Sequence, residues 1–107
     1  MKAGTVVTAE FQGVVGTKRR PSVVVSSEAY HRERPDAILA VVTSQISKSL
    51  SPTDYILQDW QAANLNRPSA VLIFLFTLPQ SKITGIGELS ERDWAKDKTR
   101  LQIAFNF

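Results

Sequence analysis

The sequence predicts a small, mainly antiparallel β domain that ends in a helix. Its apolar runs have strand length and are separated by short turns, whereas parallel crossovers need a dozen or more residues each. The runs are continuous and not alternating, which favours a small curled barrel over an open, two-faced sheet. A capping signature near residue 90 announces the terminal helix. At 107 residues the chain has material for one compact domain, spanning 1–107, with one core.

Gly4–Phe11, with Val6, Val7 and Phe11 among Thr and Glu, reads as the first strand, with Phe11 in the core. Lys18, Arg19 and Arg20 then form a basic turn, with Gly13 and Gly16 letting the chain before them fold back. Pro21–Ser27 is the second strand, and its Val23-Val24-Val25 run argues burial on both faces. Pro21 fixes its own φ and keeps Arg20 out of the helical region, so the guanidinium leaves extended backbone at the mouth of a rigid strand. The polar stretch 27–34 is expected to be a loop ending at Pro35-Asp36.

Asp36–Ser44 is the third strand, with Thr43-Ser44 bringing the chain out of the core. Such hydroxyls end strands through local bonds to backbone as readily as they serve a site. Ile46–Pro52 reads as a serine-rich turn region and Asp54–Leu57 as a short fourth strand. Asp59–Asn64 has the look of a single helical turn with Asn64 as left-handed cap and Leu65 folding back over it. Ser69–Thr77, apolar at nearly every position, is expected in the middle of the sheet, and Pro79 ends it. Gly85 and Gly87 mark Ile83–Leu89 as a bent or bulged strand whose backbone approaches something closely. Ser90 with Asp93 resembles a capping box, and Leu89 with Trp94 a hydrophobic staple. The helix that follows is expected to turn Trp94, Leu101 and Phe105 inward and Lys96, Asp97 and Arg100 mostly outward.

Composition narrows the chemistry. There is no cysteine, which removes disulfides, thiolate catalysis and thiolate zinc sites, and the single histidine, His31, rules out multi-histidine metal centres. No metal or other cofactor is expected. The longest apolar run, Ala70–Phe76, is too short to cross a bilayer, and no charged-then-apolar leader precedes the first strand, so a cytoplasmic protein without membrane contact is the default. The net charge is +3, and all of the excess lies in residues 1–50, with seven Lys/Arg against four Asp/Glu; residues 51–107 balance at six against six. A modest local basic patch suits an anionic partner such as nucleic acid or an acidic protein segment.

Taken in order, Gly-Thr-Lys-Arg-Arg-Pro-Ser-Val-Val-Val-Ser at 16–26, Val-Thr-Ser-Gln at 42–45, Pro-Thr-Asp-Tyr-Ile-Leu at 52–57, Pro-Ser at 68–69 and Ile-Gly-Glu-Leu-Ser at 86–90 resemble the MazF/PemK toxin endoribonucleases over nearly the whole chain. The resemblance implies a small SH3-like barrel with a C-terminal helix, the MazF/Kid/CcdB-type toxin fold. It also implies a homodimer that cuts single-stranded RNA without metal and is neutralised by a cognate acidic antitoxin. The family's two best-attested catalytic positions fall on Arg20 and Thr43, with Ser44 as assistant. Metal-free cleavage uses the ribose 2′-hydroxyl as nucleophile, leaving a 2′,3′-cyclic phosphate and a 5′-hydroxyl, and a planar guanidinium suits the phosphorane's added charge. Lys18 and Arg19 suit tracking of an RNA backbone or an acidic antitoxin tail. Tyr30 has a ring to stack on an unpaired base or to pack on the surface, His31 to contact RNA or the surface, and Gln45 an amide to read a base edge.

Two departures stand out. Many members carry a carboxylate or a Gln-x-Arg-Thr/Ser stretch near the end of the central strand; here Phe74–Gln80 has no carboxylate, and the general base is unassigned. Asn64 replaces a glycine usual in the family, a change its left-handed tolerance accommodates. The competing reading is a non-catalytic toxin or binding module of the same fold that inhibits a protein target, as CcdB-type toxins do. Such a module would not need the Arg20–Thr43 pair.

Overall fold

A computed structural model describes residues 1–13, 16–46 and 50–107, with only the backbone described at 11–13 and at Thr17. The expected core place of Phe11 and much of the serine-rich turn region lie outside the described residues. The elements are β1 (Thr5–Gly13), β2 (Gly16–Val24), α1 (Glu28–Glu33), β3 (Asp36–Thr43), β4 (Tyr55–Ile56), β5 (Ala70–Pro79), a 3-10 turn (Gln80–Lys82), β6 (Ile83–Glu88) and α2 (Glu91–Phe105). The strands form a six-stranded antiparallel sheet in the order β4-β5-β3-β2-β1-β6.

Consecutive valines divide between two cores, which is why the runs are continuous. Val6 and Val23 join Ala40, Val42, Val71, Tyr55, Leu57 and Leu89 on one face, covered by Trp60 and Trp94. Val7 and Val24 join Ala9, Ala37 and Leu39 on the other, against Phe76, Leu78 and Ile83. That second cluster draws on strand residues alone, from β1, β2, β3, β5 and β6. The sheet therefore curls around it. The expected barrel is loose: β4 and β6 are edges that do not pair with each other.

Several expectations need correction. The basic segment is not a turn. Lys18, Arg19 and Arg20 lie within β2, opposite Phe11, Glu10 and Ala9, and the hairpin closes at Gly13–Gly16, where Gly16 takes a φ of 114°. Arg20 accordingly sits inside the strand and not at its first residue. The stretch 27–34 is not a loop either: Ser27 caps α1 by accepting the Tyr30 N–H at 3.2 Å, and Gln80 Nε2 donates to the His31 and Arg34 carbonyls at its end. β5 stands one strand in from the edge, because β4 covers it only at Ala70 and Val71. Its later residues lose cover, and Phe74 is 69% exposed.

Residues 59–65 form the expected single turn, too short for a helix of its own. Asn64, at φ 62°, ends it in a Schellman arrangement, with the Leu65 N–H bonded to Trp60 O and the Asn64 N–H to Gln61 O. The bulge expected in the glycine strand is present, between the pairs Val6–Gly87 and Val7–Gly85. Gly87 has no room for a side chain: a Cβ there would lie 2.5 Å from the Ala63 carbonyl oxygen.

The cap and staple of α2 are as expected: Ser90 Oγ accepts the Asp93 N–H at 3.2 Å, and Leu89 and Trp94 share a core. The face is not. Trp94 packs on the core as expected, but Asp93 and Asp97 are fully buried while Phe105 is half exposed, so the acidic positions lie over the sheet beside Trp94 and the apolar face does not extend to the end of the helix. Asp93 accepts from Tyr55 Oη at 2.7 Å, the Gln58 N–H at 3.1 Å and the Asp59 N–H at 2.8 Å, tying α2 to β4 and the following turn. Burial, then the bond to Asp93, pushes the Tyr55 phenol well above its ordinary value. Asp59 receives Arg92 Nε and Nη2, both at 2.7 Å, and Ser90 Oγ at 2.6 Å; these bonds, Arg92's first, hold its carboxyl at about 2. Asp97 has no hydrogen-bond partner on either oxygen among the described residues, and burial, then the nearby Asp93 charge, raises it to about 7.

Candidate functional site

Pro21 opens the site. The Val25 N–H donates to Ile38 O, so odd positions of this strand aim their N–H toward β3, and Pro21 has none to give. The β2–β3 ladder is confined to Ser22–Val41, Val23–Ala40 and Val24–Leu39. Beyond it the two strands part. Continuing that register sets Arg20 directly across from Thr43, on the same face by the two-residue alternation of strands. In the gap lies a cleft of about 460 Å³.

One wall comes from the parted strands: Arg19, Arg20 and Pro21 on β2, then Val41, Val42, Thr43, Ser44 and Gln45. The other comes from Asn64, Leu65, Asn66, Arg67 and Ser69, with Thr8, Leu72 and Ile86 also lining the space. Beside apolar Pro21, Val41, Val42, Leu65, Leu72 and Ile86, the lining holds arginines, hydroxyls and amides, and no carboxylate among the described residues. Its potential is therefore positive, which suits a phosphate-bearing ligand.

The side chains differ in freedom. Thr43 Oγ1 accepts the Gln45 N–H at 3.1 Å, turning the chain out of β3 and leaving its own O–H to donate. Both of the roles weighed for this hydroxyl are thus open to it at once. Arg20 is exposed and bonds to no side chain among the described residues. Arg19 is held along the sheet instead, by Glu10 Oε1 at 3.1 Å, Thr8 Oγ1 at 2.9 Å and Thr84 Oγ1 at 3.2 Å.

Other expected residues lie apart. Lys18 is exposed on β2 but does not line the cleft, and Tyr30 and His31 sit on α1. Both ring nitrogens of His31 are engaged, Nε2 with Ser26 Oγ at 2.6 Å and Nδ1 with Met1 O at 3.0 Å. A carbonyl can only accept, so Nδ1 carries hydrogen, and the ring pins the chain start to α1. Phe74–Gln80, the stretch that lacks a carboxylate, contributes nothing to the cleft lining among the described residues.

Sequence reasoning missed Arg67, Asn66 and Asn64 as cleft residues. Arg67-Pro68 repeats the Arg20-Pro21 pair and would have been the signal. Arg34-Pro35 repeats it too, at the end of α1, so the dipeptide alone does not separate cleft from scaffold.

The family described as PemK-like, MazF-like toxin of type II toxin–antitoxin system matches residues 2–105. Endoribonuclease EndoA of Bacillus subtilis (strain 168) is 30% identical over 109 residues, covering 97% of this chain and 93% of that protein. An endoribonuclease in complex with its cognate antitoxin from Mycobacterial species superposes with a TM-score of 0.80 at 18% identity, over 100% of this chain and 96% of that one. A MazE–MazF complex from Deinococcus radiodurans gives 0.79 at 20% identity, over 100% and 97%. At such identities the structural likeness speaks for the fold.

Proposed function

Because this chain belongs to the PemK-like, MazF-like toxin family of type II toxin–antitoxin systems, we propose that it is a sequence-preferring endoribonuclease that cuts single-stranded RNA, such as mRNA, at the cleft where β2 and β3 part. The observation that supports this reading is that Arg20 and Thr43, from adjacent strands, line one cleft in which the described lining residues include arginines and no carboxylate. The similarity to EndoA supports it.

The 2′-hydroxyl oxygen attacks the adjacent phosphorus, its proton passing to a base that is not assigned. Arg20 spans two phosphate oxygens and stabilises the phosphorane's added negative charge. The Thr43 O–H, and the Ser44 hydroxyl beside it, donate to the same group. The P–O5′ bond then breaks, a proton reaches the departing oxygen, and the products are a 2′,3′-cyclic phosphate and a 5′-hydroxyl. None of these steps calls on a metal, and a strand lacking the 2′-hydroxyl has no nucleophile. Its arginines also make it the natural target of an acidic antitoxin, and a homodimer would present two such clefts.

The test is cleavage of a long single-stranded RNA in EDTA by the unaltered protein and by folded Arg20→Ala and Thr43→Ala variants, with fragment ends mapped. Cyclic-phosphate and 5′-hydroxyl ends, with rates down about 10²–10³-fold in each variant, are expected. Intact RNA, or variants as fast as the parent, would overturn the reading.

A further inference from the structure

The wall facing Arg20 is as firmly built as the wall that carries it. Asn64 Nδ2 donates to Ile86 O at 2.7 Å, fastening the turn to β6. The Ala63 carbonyl sits in the space left by the missing Cβ of Gly87. Ser69, itself buried, donates Oγ–H to the Arg67 carbonyl at 2.8 Å, and Pro68 restricts Arg67 to extended backbone. A turn so fastened presents its side chains in one orientation. Asn64 at its end, and Asn66 and Arg67 just after it, are exposed and line the cleft.

Arg67 has no ion-pair partner among the described residues, and no carboxylate lines the space it faces. A guanidinium held beside a rigid turn, in a cleft that Arg20 also lines with no side-chain partner among the described residues, is available to an anion. Structural economy would have paired it, as Arg92 is paired with Asp59. An extended nucleic-acid strand carries one phosphate per nucleotide, so a strand with one phosphate at Arg20 runs its next toward the opposite wall.

We propose that Arg67 is a substrate-anchoring residue that binds the phosphate neighbouring the scissile one, so that the two walls grip consecutive phosphates of one RNA strand. The proposal rests on the endoribonuclease reading. It assigns Arg67 to binding and Arg20 to the chemical step, so the two variants must fail differently. Asn66, beside it, is placed to steady the same nucleotide.

The experiment is steady-state cleavage of a short single-stranded RNA by the unaltered protein, Arg67→Ala and Arg67→Lys, over a range of salt. One further substrate carries an uncharged methylphosphonate at the linkage next to the cut. In Arg67→Ala, KM is expected to rise roughly tenfold or more at nearly constant kcat. The dependence of log affinity on log salt should flatten by about 0.7, one phosphate contact on a single strand. Arg67→Lys should recover much of both. The methylphosphonate should raise KM for the unaltered protein and add little in Arg67→Ala. An unchanged KM and salt dependence in Arg67→Ala, or a full methylphosphonate penalty in that variant, would overturn the anchor while leaving the endoribonuclease in place. RNA left intact by the unaltered protein would remove both.

Discussion

Charged side chains follow opposite rules beneath α2 and in the cleft. Under the helix, Asp93 accepts three bonds and Asp59 is clasped by Arg92 and Ser90; a carboxylate taken from water there is given donors in exchange. In the cleft, Arg20 and Arg67 face solvent with no carboxylate in the lining. The first group is spent on holding the chain together, and the second is left available. Two residues blur the division. Arg19 lines the cleft yet is bonded across the sheet, and Asp97 is buried yet has no donor.

The contrast can be broken most sharply at Asp93. Its replacement by Ala leaves the Tyr55 hydroxyl and two backbone N–H groups without their acceptor, and should cost about 3–5 kcal/mol, read as a fall in urea midpoint. A loss below about 1 kcal/mol would mean that α2 is held by its apolar contacts alone. Asp97 gives the next largest effect and carries a sign. Its folded value, about 7, lies above the ordinary 3.8, so the folded state holds the proton more tightly. The stability this group allows is fully present below about pH 4 and is lost as pH rises through 7. Asp97→Asn should flatten the fall in stability between pH 4 and 8 and be the more stable protein at pH 8. An unaltered pH profile in that variant would contradict the buried, donorless carboxyl. Smallest is Arg20→Ala, which should slow cleavage about 10²–10³-fold with the urea midpoint essentially unmoved, as expected where a side chain has no side-chain partner among the described residues to lose. A large drop in midpoint would place Arg20 with the structural group.

The sequence spoke clearly wherever the signal was local. The cap and staple at 89–94, the left-handed Asn64 and the bulge at the glycine pair each follow from two or three neighbouring residues, and each is present. It misled where a tertiary partner decides. Lys18–Arg20 read as a turn because three cations dislike a core, but pairing with β1 carries them as a strand whose side chains reach the rim. Asp97 read as outward because carboxylates are rarely buried unpaired. The stretch 27–34 showed no core periodicity because α1 buries none of its residues. At the candidate site, Arg20 and Thr43 were named from the resemblance, and that both line one cleft needed a β2–β3 arrangement that no local pattern contains. Arg67 needed the fold outright, since only the turn at 59–65 brings it across the cleft.

That turn rests on a vacancy one methyl group wide. The Ala63 carbonyl approaches β6 where Gly87 has no side chain, and so the separation of the cleft walls is fixed at a position outside the cleft lining. Gly87 works as a shim of zero thickness. A side chain there would press on the Ala63 carbonyl, so the position of the wall depends on a residue that the wall itself does not contain.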